Sequence, residues 1–476
     1  MNFLNNLIIG FNDFLWTYIL IAMLITIGLY FSFKTKLVQL RNIKEMFRLL
    51  TDGNNKDKNS ISSFQAFCIS TASRVGTGNL AGIATAISIG GPGSIFWMWL
   101  IALIGSASSF IESTLAQIYK QKDGSSFIGG PAYYMEKGLK KRLMGIIFAI
   151  LITIAFGLVF NSVQANTIAL SLNNSFGFNK IIIGGIITIL TIAIIYGGIN
   201  RIAKISSTIV PVMAIAYIIV SLFIVLKNIN YLPSMFRLIF ENAFGFNHVL
   251  GGGIGAALMQ GIKRGLFSNE AGMGSAPNAA ATASVSHPVK QGFIQTLGVF
   301  TDTIIICSCT AFIILLADVP LDGSIKGIEL TQLALSSEVG AWGGIFISIC
   351  ILLFAFSSII GNYYYGETNI QFITNKKIYI NLYRVSVSLM VFFGSLVSMD
   401  VVWNLADIFM GLMAIINLIA IVLLGKIALK ALDDYKSQKK KGIKDPVFNS
   451  ASIHELNGDI TEWSSDLKED KEELVA

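Results

Sequence analysis

The stretch Gly261-Ile262-Lys263-Arg264-Gly265-Leu266-Phe267-Ser268-Asn269-Glu270-Ala271-Gly272-Met273-Gly274-Ser275-Ala276-Pro277 decides the fold. It lies inside an otherwise apolar segment, 249–283, that is long enough to cross a bilayer. A second segment, 62–89, repeats the pattern in Ser70-Thr71-Ala72-Ser73-Arg74-Val75-Gly76-Thr77-Gly78-Asn79-Leu80-Ala81-Gly82. Glycine costs about 1 kcal/mol against alanine in a helix interior, so such clusters belong where a helix breaks. In lipid, broken backbone survives only when it is buried in protein or lines a wet cavity. Close packing through small residues would also account for the glycines. It accounts for Arg74, Asn79, Asn269 and Glu270 poorly, because a charge at the bilayer centre costs about 2.5–3.5 kcal/mol even on a lenient scale.

The composition supports a membrane setting. Of 476 residues, 54% are hydrophobic and 13% charged, about half the charge of a soluble globular protein. That excludes an ordinary cytosolic enzyme. Four cysteines, all within apolar segments, exclude a disulfide scaffold and read as small apolar side chains. The net charge of +7 belongs to loop placement, not to nucleic-acid binding.

A spanning helix needs about 20 predominantly apolar residues. Eleven segments qualify: 13–33, 62–89, 93–118, 143–172, 180–199, 205–226, 249–283, 289–316, 340–365, 378–399 and 402–427. The first ends at Lys34 and Lys36 without a small-residue cleavage pattern and is read as a retained span. Without it, ten remain, and the two interrupted segments are the first and the sixth. They hold equivalent places in two sets of five, and five is odd, so the halves are inverted. Interrupted helices at corresponding positions of inverted halves point to a substrate site at the bilayer midplane. The expected fold is all-α, with an N-terminal extra helix and a 5+5 inverted-repeat core. The expected regions are 1–61 (first span and basic loop), 62–226 and 227–427 (the two repeats) and 428–476 (a polar tail, disordered beyond a turn or two of helix). Residues 228–248 read either as an amphipathic external helix or as a surface loop.

Basic residues alternate between sides. Loop 34–60 holds Lys34, Lys36, Arg41, Lys44, Arg48, Lys56 and Lys58, and loop 119–142 holds Lys120, Lys122, Lys137, Lys140, Lys141 and Arg142. The opposite side holds Lys180, Lys227, Arg237 and Lys326, with Asp318, Asp322, Glu329 and Glu338. The positive-inside rule then expects a multi-pass protein of the plasma membrane, N-terminus outside and C-terminus in the cytoplasm.

Three motifs carry a family resemblance: Ser73 to Gly82, Gly129-Gly130-Pro131-Ala132-Tyr133-Tyr134, and Gly265 to Pro277. They resemble the signatures of the alanine/glycine:cation symporter family over about residues 60 to 427. The resemblance implies a leucine-transporter-type fold that moves alanine or glycine together with sodium, with no organic cofactor and no enzymatic activity.

A zwitterionic substrate needs donors for its carboxylate and acceptors for its ammonium. Gly76, Thr77, Gly78 and Asn79 present backbone N–H groups that glycine lets a ligand approach. Carbonyls around Phe267, Ser268 and Gly272, or a side-chain amide, suit the ammonium. Gln164 reads as a substrate contact or an interhelical hydrogen bond; Asn166 reads as the latter. Met273, Phe267 and Gln164 are expected to crowd the side-chain end of a small pocket. On residues alone, Ser357 and Ser358 read as packing or back-bonding hydroxyls. The resemblance implies a sodium site there, built from the carbonyls of Ala72, Val75 and Phe354 with the hydroxyls of Ser357 and Ser358. The remaining charges, Arg74, Glu112, Arg264, Glu270, Asp302, Asp400 and Asp407, are expected to pair among themselves or to lie near an interface. Glu270 is the best proton-relay candidate. His248, His287 and His454 form no metal cluster in sequence.

Rival readings are a proton-coupled transporter of the same fold, a non-transporting amino-acid sensor, a channel and a membrane enzyme. No filter motif supports a channel, and no H-E-x-x-H helix or paired catalytic Asp supports an enzyme. The sequence leaves the oligomeric state open.

Overall fold

In the computed structural model, residues 10–51, 60–124, 126–245, 253–456, 460 and 462–463 are described. Lys56, Lys58, His248 and the acidic end of the tail lie outside them, and so does the Asp400 side chain.

The chain is mostly helical. Among the described residues, seven helices are long and apolar enough to span a membrane. They are α1 (Gly10–Lys34), α4 (Ser94–Ile118), α5 (Arg142–Phe176), α7 (Gly198–Lys227), α10 (Val289–Leu316), α12 (Trp342–Ile373) and α14, which runs Met399–Lys440. The other four apolar segments of the sequence take different forms. Segment 62–89 is split into α2 (Ser63–Arg74) and α3 (Gly78–Gly90). Segment 249–283 is split into α8 (Ile254–Asn269) and α9 (Ala276–Thr282). Segments 180–199 and 378–399 form α6 (Lys180–Ile195) and α13 (Lys377–Gly394), both shorter.

Layering follows burial. Within α12 and α4, 67% and 72% of the apolar window is buried, against 28% in α7, so α7 lies at the periphery. Its exposed Ile215, Ile219 and Phe223, with Ile189 of α6 and Leu389 of α13, form an apolar outer face suited to lipid. At the centre, α8 packs closely on α4. A methyl at Gly261 would fall 2.3 Å from the Ser94 carbonyl oxygen, so only glycine fits.

Loop 119–142 holds structure, and segment 228–248 takes the helical one of its two readings. In 119–142, strands Gln121–Asp123 and Ser126–Ile128 pair as a hairpin, followed by helix Pro131–Lys137. In 228–248, Leu232–Ala243 is an amphipathic helix with Met235, Ile239 and Ala243 buried. A further helix, α11 (Ile328–Val339), lies between α10 and α12.

The tail departs from expectation. α14 continues to Lys440 with Ala428, Ala431, Leu432 and Tyr435 buried. Beyond it, Phe448, Ile453, Leu456, Ile460 and Trp463 are also buried. The segment is polar on average, yet these scattered apolar side chains turn inward, while Ile443 and Val447 stay exposed.

Candidate functional site

The break between α2 and α3 begins with a well-made helix. Ser62 and Gln65 form a reciprocal capping box at its start. The helix ends where Val75 turns extended, at φ −79° and ψ 95°. The Gly76 N–H donates to Asn79 Oδ1 at 2.9 Å, and the helix resumes at once. The break between α8 and α9 is a left-handed turn: Glu270, Gly272 and Gly274 have φ of 58°, 84° and 87°. Glu270 is the non-glycine member, a conformation that costs roughly 1–2 kcal/mol. Its carboxylate ties the two breaks together, accepting from Ser73 Oγ at 2.9 Å and Ser275 Oγ at 2.6 Å.

Four of the five oxygens expected to hold a cation converge. Ser358 Oγ lies 2.8 Å from the Ala72 carbonyl oxygen, 3.0 Å from that of Phe354 and 3.3 Å from that of Val75. Ser357 Oγ joins through the Phe354 carbonyl at 2.8 Å. All five residues are fully buried. Both hydroxyls also back-bond within α12: Ser357 and Ser358 donate to the Phe354 carbonyl three and four residues earlier, the packing role read from the residues alone. Hard neutral oxygens from unwound backbone are what a sodium ion takes.

Across Gly76 lies a second group. The Gln164 Oε1 atom accepts from the Thr77 N–H at 2.9 Å and from Thr77 Oγ1 at 2.7 Å. A methyl at Gly76 would fall 2.8 Å from this oxygen and 2.3 Å from Ser358 Oγ, so a single glycine separates the two groups. A methyl at Gly78 would meet the Phe267 ring at 2.9 Å and Ser268 Cα at 3.3 Å, which brings the end of α8 against the first break. Asn79 and Ser268 meet on Asp302: Asn79 Nδ2 donates to Oδ1 and Ser268 Oγ to Oδ2, both at 2.7 Å. Gly76, Thr77, Gly78, Asn79, Gln164, Phe267 and Ser268 therefore assemble.

Gly272 stands apart. Its N–H donates to Glu112 Oε1 at 3.1 Å, and its carbonyl accepts from Asn417 Nδ2 at 2.9 Å. A methyl on it would meet Leu418 and Ser108. Its carbonyl is thus engaged with α14. Met273 follows in the same turn, its N–H on the Glu270 carbonyl at 3.2 Å. Asn166 makes interhelical bonds to the Gly394 and Val397 carbonyls at 3.0 and 2.6 Å, as read.

Away from the basic loops the site is covered by Phe160 and Trp403, which the sequence did not single out, and by Arg264 and Asp407, which pair as expected of membrane-depth charges. The Phe267 ring lies 4.6 Å from Phe160 and 4.6 Å from Trp403. Arg264 stacks on Trp403 at 4.5 Å and binds both oxygens of Asp407, at 2.7 and 2.5 Å. Lys263 stands 3.7 Å from the same carboxylate. α11 closes the side, with Thr331 Oγ1 on the Leu80 carbonyl at 3.0 Å.

A sequence profile described as the sodium:alanine symporter family matches residues 1–450. The chain belongs to this family. A probable sodium/glutamine symporter of Bacillus subtilis (strain 168), GlnT, is 58% identical over 461 residues, 96% of each chain. The amino-acid carrier protein AlsT of the same organism is 54% identical, over 98% of this chain and 99% of its own. Among solved structures, that of MhsT in complex with L-phenylalanine aligns with a TM-score of 0.58 at 16% identity, over 78% of this chain and 96% of that one. At that identity the likeness concerns the fold, a leucine-transporter type. Family and fold are those of multi-pass membrane transporters, not of enzymes.

The family implies sodium as coupling ion and an amino acid as substrate. Asp302 was the hardest residue to foresee: its partners Ser268 and Asn79 lie 34 and 223 positions away in the chain.

Proposed function

We propose that this chain is a sodium-coupled symporter of a small neutral amino acid, alanine or glycine, working by alternating access from a midplane site. The observation that carries the reading is Gly76, flanked by a cluster of hydroxyl and carbonyl oxygens on one side and a doubly hydrogen-bonded amide oxygen on the other. Gln164 Oε1 takes the two Thr77 donors that a substrate carboxylate would use. Sodium fills the cluster of Ala72, Val75, Phe354, Ser357 and Ser358. Substrate then meets Gly76, Thr77, Gly78 and Asn79 at one end and Phe267 and Ser268 at the other. Both ligands hold the same break, so each raises the affinity of the other.

Eleven crossings, in the order of an extra helix and two inverted sets of five, complete the reading. The regions are 1–61, 62–226, 227–427 and 428–476. The basic loops put the N-terminus outside and the C-terminus in the cytoplasm of a plasma-membrane protein. The pair Arg264–Asp407 and the stack of Phe160, Phe267 and Trp403 then form the outer closure.

The relative at 58% identity named for glutamine supports a second reading, in which the substrate is that larger neutral amino acid. Proton coupling is a third, with Glu270 as the relay, since its carboxylate already bridges both breaks. Uptake of labelled alanine, glycine and glutamine by proteoliposomes, with a sodium or a pH gradient, separates all three.

A further inference from the structure

The end of the molecule bearing the basic loops is crossed by the chain that follows α14. Beyond Lys440 it folds back: the Val447 N–H donates to Gln438 Oε1 at 2.9 Å, and Gln438 Nε2 donates to the Val447 carbonyl at 2.8 Å. It then docks on the connection between α9 and α10. The Phe448 N–H donates to the Ser286 carbonyl at 2.9 Å, Ser286 Oγ donates to the Pro446 carbonyl at 2.8 Å, and Lys290 pairs with Asp445. The Phe448 ring stands edge-on to His287 at 5.1 Å. Farther along, Trp463 Nε1 donates to the Gln117 carbonyl at 2.9 Å, and the indole packs 5.5 Å from Phe448 and 4.8 Å from Lys120 Nζ.

The anchors beneath this segment hold the two half-helices at that end of the site. Gln117 Nε2 donates to the carbonyls of Ala280 and Ala283, at 2.5 and 3.0 Å, and Lys120 Nζ to Ala283 at 2.9 Å. Ala283 in turn pairs with Ile61 as an isolated parallel bridge, and the Ser284 N–H donates to the Ile61 carbonyl at 3.0 Å. Ile61 immediately precedes the capping box of α2. The end of α9 and the start of α2 are thus bonded to each other, and the C-terminal segment is bonded to what holds them.

We infer that residues 445–456, with Ile460 and Trp463, form a strap that holds the cytoplasmic ends of α2 and α9 together and brakes opening of the site toward the cytoplasm. The strap rests on the alternating-access reading above. For the site to open at this end, the Ile61–Ala283 bridge must part, and the strap must slacken or leave Ser286 and Gln117. A segment held by a few backbone bonds and five inward side chains can release as a unit without disturbing the helices beneath. Sub-global opening of this kind is the ordinary behaviour of peripheral segments.

The test uses Cys68, which is buried in α2. In the purified full-length protein, alkylation by N-ethylmaleimide is followed at each cysteine by mass spectrometry, with Cys350 of α12 as internal reference. The strap predicts that Phe448→Ala with Trp463→Ala accelerates Cys68 labelling several-fold while Cys350 is unchanged. An unchanged Cys68 rate in a folded variant would overturn it. A second variant does not depend on loosening the fold. Ser286→Cys with Phe448→Cys, oxidised to tie the strap down, should stop proteoliposome uptake, and reductant should restore it. Undiminished uptake by the oxidised protein would also overturn the strap. Failure of the reduced parent to take up any amino acid would count against the symporter reading instead, and the Cys68 comparison would stand.

Discussion

Ser358 Oγ and the Ala72 carbonyl oxygen lie 2.8 Å apart across 286 residues of sequence. The contact ties α12 to the last turn of the first half-helix, where the backbone stops being a helix. In the proposed sodium site, Ser358→Ala removes one of about five oxygens and replaces it with a hydrogen that cannot coordinate. Hydrogen bonds and ligand contacts to charge are worth about 1.5–3 kcal/mol. Sodium affinity should therefore fall by about tenfold or more, since 1.4 kcal/mol is a factor of ten. Alanine uptake should fall with it and be partly rescued by raised sodium. Sodium titration of uptake, with the melting temperature as a folding control, reads both.

Gln164 offers a charge test. Its Oε1 atom takes the Thr77 N–H and hydroxyl. Gln164→Glu keeps the shape but sets a negative charge where the substrate carboxylate is proposed to bind. Substrate affinity should drop at least tenfold, while sodium-dependent stabilisation of the purified protein persists. Equal substrate affinity in the variant would move the carboxylate elsewhere.

The outer closure depends on Asp407. Its carboxylate binds Arg264 with both oxygens, and the pair is about 5% exposed. Breaking a buried pair leaves a charge uncompensated, which costs about 3–5 kcal/mol. Asp407→Asn should lower the melting temperature and slow uptake. A cysteine introduced near Trp403 should also label faster from outside. Slow uptake with unchanged outside labelling would remove the pair from the closure.

Much of the fold is legible in the chain, and part of the site is not. Both breaks are legible, because glycine and charge inside an apolar segment mark a helix that cannot run through. Gln164 is legible as a buried amide open to a substrate or an interhelical bond, whereas Ser358 becomes an ion ligand only through the family resemblance and on residues alone reads as a back-bonding hydroxyl. Phe160 and Trp403 stay hidden, because each acquires its meaning from a partner on another helix; Asp302 and Asp407 show as membrane-depth charges, but not the specific partners that hold them. The bond from Asn417 to the Gly272 carbonyl is hidden in the same way, since the two residues lie 145 positions apart. The order in the tail is easy to pass over because its apolar residues are few among charges, although Ile453, Leu456, Ile460 and Trp463 recur at helical spacings of 3, 4 and 3.

Outside the membrane-spanning helices, Glu45 gives a pH prediction. Burial opposes its ionisation, but hydrogen bonds from Arg48, Tyr435 and Lys439 outweigh that and hold its pKa down to about 2. A carboxylate depressed in the folded state stabilises above its unfolded pKa of about 4.5, and the contribution is lost as pH falls toward about 2. At pH 7, Glu45→Gln should melt below the parent. The difference should shrink as pH is lowered below about 4.5. A gap independent of pH would mean that Glu45 acts by packing.

The central claim is that sodium, bound at the broken helix, drives amino-acid entry. Its most direct measurement is uptake of radiolabelled alanine, glycine and glutamine into proteoliposomes, under an inward sodium gradient or under a pH gradient in sodium-free buffer. The account predicts concentrative, saturable uptake of alanine or glycine with sodium and none with the pH gradient alone. Concentrative uptake driven by the pH gradient without sodium would contradict it.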